Sequence, residues 1–255
     1  LALSAKKRVK SGYYDISNEE RNKLTANSFE ENIKTEGRDP IIGEIKPGSP
    51  SRGRIFADDF DPTEFGESCS GGGVAGFSVL TDPDNFFGSL DNLKRIAKLG
   101  KPTLMKDFLI DYCQVRAGKA LGADAVLFIY RLFAREISRF DLESGIEYAH
   151  DRNLEVLLEV NDVSEYELAL ETEADMIGIN NRDLRSLEVD LTTTERILSK
   201  AGKTGTVWAM SGIASRSDVV YLRDAGADAF LVGTSLALSD EPGGLIQQLS
   251  GVSDG

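Results

Sequence analysis

Two opposite charges leave the end of an apolar run in residues 41–53, IIGEIKPGSPSRG, where Glu44 and Lys46 stand two apart. In a strand such residues share a face, so Glu44 and Lys46 point together while Ile41 and Ile45 point the other way, into a hydrophobic layer. A carboxylate beside an ammonium can hold and pass protons, the equipment of general acid–base chemistry. Taken alone, the pair can equally be a surface ion pair at a strand end. The pattern recurs, however: Lys106 closes the apolar stretch of PTLMKDF, Glu159 lies in LLEVND, Asn180 and Arg182 in IGINNRDL, and Ser211 in AMSGI.

These groups need elements that bring them to one place. Apolar runs begin near residues 41, 74, 103, 125, 155, 175, 206 and 228, and helix-forming stretches such as DNLKRIAKL, CQVRAGKALGA and RSDVVYLRDAGA separate them. Eight βα units predict a closed (β/α)8 TIM barrel of class α/β, as one domain over residues 1–255. An open doubly wound sheet is the alternative, but no GxGxxG turn is present. Residues 1 to about 35 are charged and helix-leaning, and predict an N-terminal extension of two helices, separated at Gly12, packed on the barrel surface. Polar groups at the carboxyl ends of barrel strands converge on one mouth, where such folds place their chemistry. A buried ion pair that merely holds the barrel layers together is the competing explanation for any one of them.

Strands seven and eight carry a second signal. Ser211-Gly212 and Gly233-Thr234-Ser235 follow them, and backbone N–H groups at Gly-rich turns in that position suit a phosphate. Either turn alone is weak; together they predict a phosphorylated substrate. Phe87, Phe108, Leu127, Leu184 and Leu231 also fall near strand ends. Such side chains are commonly core, yet beside convergent Lys and Glu they would form a dry slot for an aromatic ring.

With 42 acidic against 29 basic residues the net charge is −13, which argues against a nucleic-acid partner and makes individual Lys and Arg side chains decisive for binding an anion. Cys69 and Cys113 are far apart and unpatterned, as expected of reduced cytoplasmic thiols. The single histidine, His150, makes a Ser-His-Asp triad or a His-based metal site implausible. No 18-residue apolar run and no signal-peptide pattern is visible, so neither a membrane nor export is expected.

The motifs IIGEIKPGSPSRG, SVLTDPDNFFGS, PTLMKDF, LLEVND, IGINNRDL and LVGTSL, in this order and spacing, resemble the indole-3-glycerol phosphate synthase family over essentially the whole chain. The resemblance implies a lyase of tryptophan biosynthesis. It closes an indole ring on 1-(2-carboxyphenylamino)-1-deoxyribulose 5-phosphate with loss of CO2 and water, without metal or cofactor, as a monomer or homodimer. It implies Lys106 as general acid, Glu159 as the carboxylate serving dehydration, and Glu44 and Lys46 as supporting acid and lysine. Asn180 and Arg182 would position the substrate, with Ser49 and the apolar residues above. Ser211, Gly212, Gly233 and Thr234 fall on its phosphate site.

Two positions depart from the family pattern. Pro47-Gly48 replace a basic residue after the strand-one lysine, and Met210 stands where SESGI would place a glutamate. Met210 is therefore expected beside the substrate slot as an apolar filler. A barrel that binds phosphorylated ligands with little turnover, restored by Met210→Glu, becomes the second reading; an isomerase-type phosphate-binding barrel is a third, which the Glu44/Lys46 pair and Lys106 oppose.

Overall fold

The computed structural model describes residues 1–16, 27–35, 37–50, 52–56, 60–183 and 186–251. Eight strands form the barrel: β1 (Ile41–Ile45), β2 (Gly76–Leu80), β3 (Thr103–Lys106), β4 (Ala125–Ile129), β5 (Glu155–Val160), β6 (Met176–Asn180), β7 (Thr206–Met210) and β8 (Ala229–Val232). All neighbours are parallel, and β1 closes the ring by pairing with both β2 and β8. The strands read as near-continuous apolar runs because both faces are covered, by helices outside and by side chains within. Alternation sorts the two faces. Ile42, Leu104, Leu127, Leu157, Trp208 and Leu231 fill the interior, while Ile41, Phe77, Met105, Phe128 and Val207 belong to the layer beneath the helices.

Twelve α-helices occur among the described residues: α1 (Ala2–Lys10), α2 (Phe29–Thr35), α3 (Pro62–Gly71), α4 (Leu90–Ile96), α5 (Tyr112–Ala120), α6 (Tyr130–Ala134), α7 (Leu142–His150), α8 (Val163–Ala169), α9 (Thr192–Ala201), α10 (Arg216–Asp224), α11 (Thr234–Ala237) and α12 (Pro242–Ser250). Local chemistry starts many of them. Asp61, Ser89, Asp141 and Asp162 each cap a first turn by accepting a backbone N–H, and Asp111 with Gln114 and Ser215 with Asp218 form capping boxes. Asp124, Asp175 and Asp228 sit just before β4, β6 and β8. Their carboxylates accept the N–H groups of Thr103, Val156 and Val207, at or near the start of the preceding strand. No helix among the described residues is long and apolar enough to cross a membrane.

The extension does not simply pack on the barrel surface. α1 lies by the mouth, where Ser4 and Arg8 meet Asp84 in the loop after β2. At the opposite end Phe29 of α2 meets Trp208 edge-on, with ring centroids 5.1 Å apart, and plugs the barrel floor. The stretch read as the second N-terminal helix is helical over Phe29–Thr35; residues 17–26 of it lie outside the described residues. At the end of β7 Ser211 has left the strand, with φ +71°, and after β8 Thr234–Ala237 is a helical turn. Helices α6, α11 and α12 escaped the sequence reading; the first two are only five and four residues long.

Candidate active site

The mouth holds a cavity of about 330 Å³, and groups from several strand ends project into it. Glu44 is 2% exposed and divides its carboxylate between two cations: Oε2 lies 2.7 Å from Lys106 Nζ and Oε1 3.3 Å from Lys46 Nζ. Parity explains the convergence, since Glu44, Lys46 and Lys106 occupy inward positions at the carboxyl ends of β1 and β3. Burial would raise the Glu44 pKa, but Lys106 and Lys46 outweigh it and hold it at about 2, well below the usual 4.5. Its charge therefore stabilises the fold fully above about pH 4.5, and that contribution is lost as pH falls through about 2. For Lys106, desolvation works against the ammonium, yet Glu44 and Glu159 overcome it and raise the pKa. Lys106 is thus a protonated donor at neutral pH.

Across the mouth Glu159 is buried, and its Oε1 accepts a hydrogen bond of 2.9 Å from Asn180 Nδ2. Desolvation dominates there and lifts its pKa, despite the opposing pull of Lys106 and Asn180. A carboxylate with raised basicity facing an ammonium that stays protonated separates base from acid. Asn161 steadies this side by donating from Nδ2 to the carbonyls of Asn180 and Arg182, each at 3.1 Å. Arg182 reaches the rim, where its Nη1 donates to the carbonyl of Leu187 at 2.7 Å.

The two ends of the cavity differ. One is lined by Lys46, Ser49, Arg52, Ser211, Gly212, Gly233, Thr234 and Ser235. Gly212 adopts φ +89°, and a Cβ there would run into Val189, so only glycine fits. A Cβ on Gly233 would strike the Glu44 carboxylate, so the absence of a side chain lets this turn close against the acid. The other end, over β2 to β4, is apolar, with Leu80, Phe86, Phe108, Leu127 and Ile129; the Phe86 and Phe108 ring centroids are 6.2 Å apart. A cavity with cations and Gly-rich turns at one end and aromatic rings at the other suits an anionic group joined to a ring.

The indole-3-glycerol phosphate synthase family model matches residues 3–249. The chain belongs to the indole-3-glycerol phosphate synthase family. It is 40% identical over 212 residues to an indole-3-glycerol phosphate synthase of Dehalococcoides mccartyi strain CBDB1, covering 81% of this chain and 80% of that one. It is 42% identical over 217 residues to one of Polynucleobacter necessarius, covering 84% and 79%. An indole-3-glycerol phosphate synthase of Haloarcula marismortui is 40% identical over 201 residues, covering 78% and 72%. Among solved structures, thiamine phosphate pyrophosphorylase from Pyrococcus furiosus aligns with a TM-score of 0.59 at 16% identity, over 83% of this chain and 93% of that one, a likeness of fold alone.

Within this synthase-family barrel the structure brings most residues named from the sequence to the cavity wall: Glu44, Lys46, Ser49, Lys106, Phe108, Leu127, Glu159, Asn180, Arg182, Ser211, Gly212, Leu231, Gly233 and Thr234. Leu184 lies outside the described residues. Phe87 does not line the cavity; its neighbour Phe86 does. Phe87 takes φ +56° and turns outward beneath Arg54, whose Cζ is 5.0 Å from its ring centroid, against the short hairpin of Gly48–Ser49 and Gly53–Arg54. The pair NFFGS is visible in the sequence, but its loop has no periodicity to say which ring points inward. Ser235, the last residue of the second Gly-rich turn, is on the wall as well; Arg52 was missed although it lies inside a motif, and Asp82 and Asp107 also reach the wall.

Met210 corrects a further expectation. It stands between Asn180 and Leu231 in register, but its side chain is 2% exposed and lies against Gly178, below the cavity rather than on its wall. A glutamate there would enter the apolar layer with Leu157, Trp208 and Leu231. Met210→Glu is accordingly expected to cost about 2–3 kcal/mol of stability, or roughly 5–10 °C in Tm for a chain of this size. Thermal unfolding followed by circular dichroism measures it; an unchanged Tm would mean that the new carboxylate finds partners in the mouth.

Proposed function

We propose that this protein catalyses the decarboxylating, dehydrating ring closure of 1-(2-carboxyphenylamino)-1-deoxyribulose 5-phosphate to indole-3-glycerol phosphate. The observation that carries the proposal is the Lys106–Glu44–Lys46 chain, set between an aromatic wall and two Gly-rich turns. The phosphate sits by Gly212, Gly233 and Thr234, and the aromatic ring between Phe86 and Phe108. Attack of the ring carbon on the ketone places negative charge on the carbonyl oxygen, and the Lys106 ammonium supplies its proton. Loss of CO2 then restores aromaticity, helped by the apolar end of the slot. In the dehydration a hydroxyl leaves as water with a proton from Lys106, reprotonated by solvent after the ring closure, and Glu159 takes the proton released from the forming ring. Lys46, Lys106, Arg52 and Arg182 line the mouth and offset its carboxylates, Glu44, Asp82, Asp107 and Glu159, so that a protein of net charge −13 can accept an anionic substrate there.

The reading of an impaired barrel is not favoured: the synthase family model spans residues 3–249, and Met210 lies below the cavity rather than among its lining groups. A fluorescence assay for indole-3-glycerol phosphate formed by the purified chain is the direct test, and absence of product would refute the proposal. Fast wild-type turnover unaffected by Met210→Glu would confirm that position 210 takes no part in the chemistry, whereas a large gain would revive the impaired reading.

The phosphate end carries its own expectation. Gly233→Ala pushes a methyl group into Glu44, so inorganic phosphate affinity should fall about tenfold, a loss of about 1.4 kcal/mol. Isothermal titration of wild type and variant measures this, and equal affinities would move the anion site elsewhere on the barrel.

A further inference from the structure

Arg8 belongs to a helix that the sequence marks only as charged, yet its side chain is 6% exposed and reaches two loops at once. Its Nη1 lies 3.0 Å from Asp82 Oδ1 and 2.8 Å from Asp84 Oδ2, both in the loop after β2. Its Nη2 lies 2.9 Å from Oδ1 of Asp107, which follows β3. The Asp82 and Asp107 side chains have no exposure at all. Tyr14 completes the cluster, accepting from Arg8 Nε at 3.0 Å and donating to Asp107 Oδ2 at 2.7 Å. Asp82 and Asp107 both border the cavity. The loop after β2 also carries Phe86, and Phe108 directly follows Asp107, its N–H bonded to Asp107 Oδ1 at 2.7 Å.

We propose that Arg8 is the positioning residue for the aromatic end of the active site: by drawing Asp82, Asp84 and Asp107 onto one guanidinium, it fixes the gap between Phe86 and Phe108 in which the substrate ring lies. Two buried carboxylates on separate loops repel each other unless a cation lies between them, and a planar guanidinium can satisfy both with defined geometry. The N-terminal extension therefore acts on the aromatic end and leaves the phosphate end, built from the turns after β7 and β8, untouched. Arg8 touches no reacting atom in this scheme, and its effect reaches the substrate through the two rings. The inference rests on the synthase reading, because it needs a ligand with a ring at one end and a phosphate at the other.

The test compares two ligands by isothermal titration, indole-3-glycerol phosphate and inorganic phosphate. Arg8→Met, which keeps the length of the side chain and removes its charge, should weaken indole-3-glycerol phosphate about tenfold and leave inorganic phosphate unchanged. Arg8→Lys should recover part of that loss, and Tyr14→Phe, which removes one strut of the cluster while keeping the ring, should cost about threefold in the same direction. Arg8→Met with wild-type affinity for both ligands would overturn the inference, and so would equal weakening of both, which marks general loosening of the fold. Should Arg8→Met fail to fold, Tyr14→Phe decides, and an unchanged ratio of the two affinities overturns the proposal. A wild type that binds no indole-3-glycerol phosphate would overturn the synthase reading itself, a result distinct from any difference among variants.

Discussion

Lys106→Ala is expected to lower turnover at least about a hundredfold, a rise of about 2.7 kcal/mol in the activation barrier. The variant removes the ammonium that Glu44 holds at 2.7 Å, and with it the proton for the ketone oxygen. Affinity for indole-3-glycerol phosphate should change far less, because the turns at Gly212 and Gly233 and the rings of Phe86 and Phe108 remain. Steady-state kinetics with a separate measurement of product binding distinguish the two effects. Near-normal turnover would transfer the acid role to Lys46, the other cation on Glu44. Freed of Lys106, Glu44 would also keep only one of its two charge partners, so its pKa should rise from about 2 and the variant should lose stability at higher pH than the wild type.

Glu159→Gln should cost about a hundredfold in turnover, with a distinctive pH signature. As a base Glu159 must be ionised, and burial raises its pKa above that of an ordinary carboxylate. The acidic limb of the wild-type rate profile should therefore lie above pH 4.5, with activity lost as pH falls through the raised value. The raised pKa of Lys106 keeps the acid form available throughout the neutral range. In Glu159→Gln the residual rate should lose that acidic limb, while the Asn180 contact can persist to the amide oxygen at the same position. A variant whose limb stays where the wild type has it would assign the titration to another group.

Much of the barrel could be read from local pattern. Apolar runs and capping residues are local signals, so the starts of β1, β3 to β5 and β7 fell at residues 41, 103, 125, 155 and 206, and Glu44, Lys106, Glu159 and Asn180 fell on inward positions by parity alone. The parity argument covered Glu44, Lys106 and Glu159 because each stands within a regular strand. It lapsed where the strands end. Phe86 and Phe87 are adjacent in a loop, and it is the φ of +56° at Phe87 that turns one ring outward and leaves the other on the wall. Parity sets Met210 opposite Ser211, and it is Met210 that faces inward because Ser211 has left the strand; whether its thioether rises into the mouth or lies down against Gly178 depends on the space that glycine leaves on the neighbouring strand. Arg8 shows the limit most clearly. Among the basic residues of AKKRVK nothing local singles it out, and its partner Asp107 lies 99 residues away. Sequence pattern by itself determined the strands, their order and the residues facing inward, because periodicity is written into each segment. Tertiary structure alone decided which loop side chains form the aromatic end, and that the extension caps one end of the barrel and plugs the other, because those contacts exist only once distant segments meet.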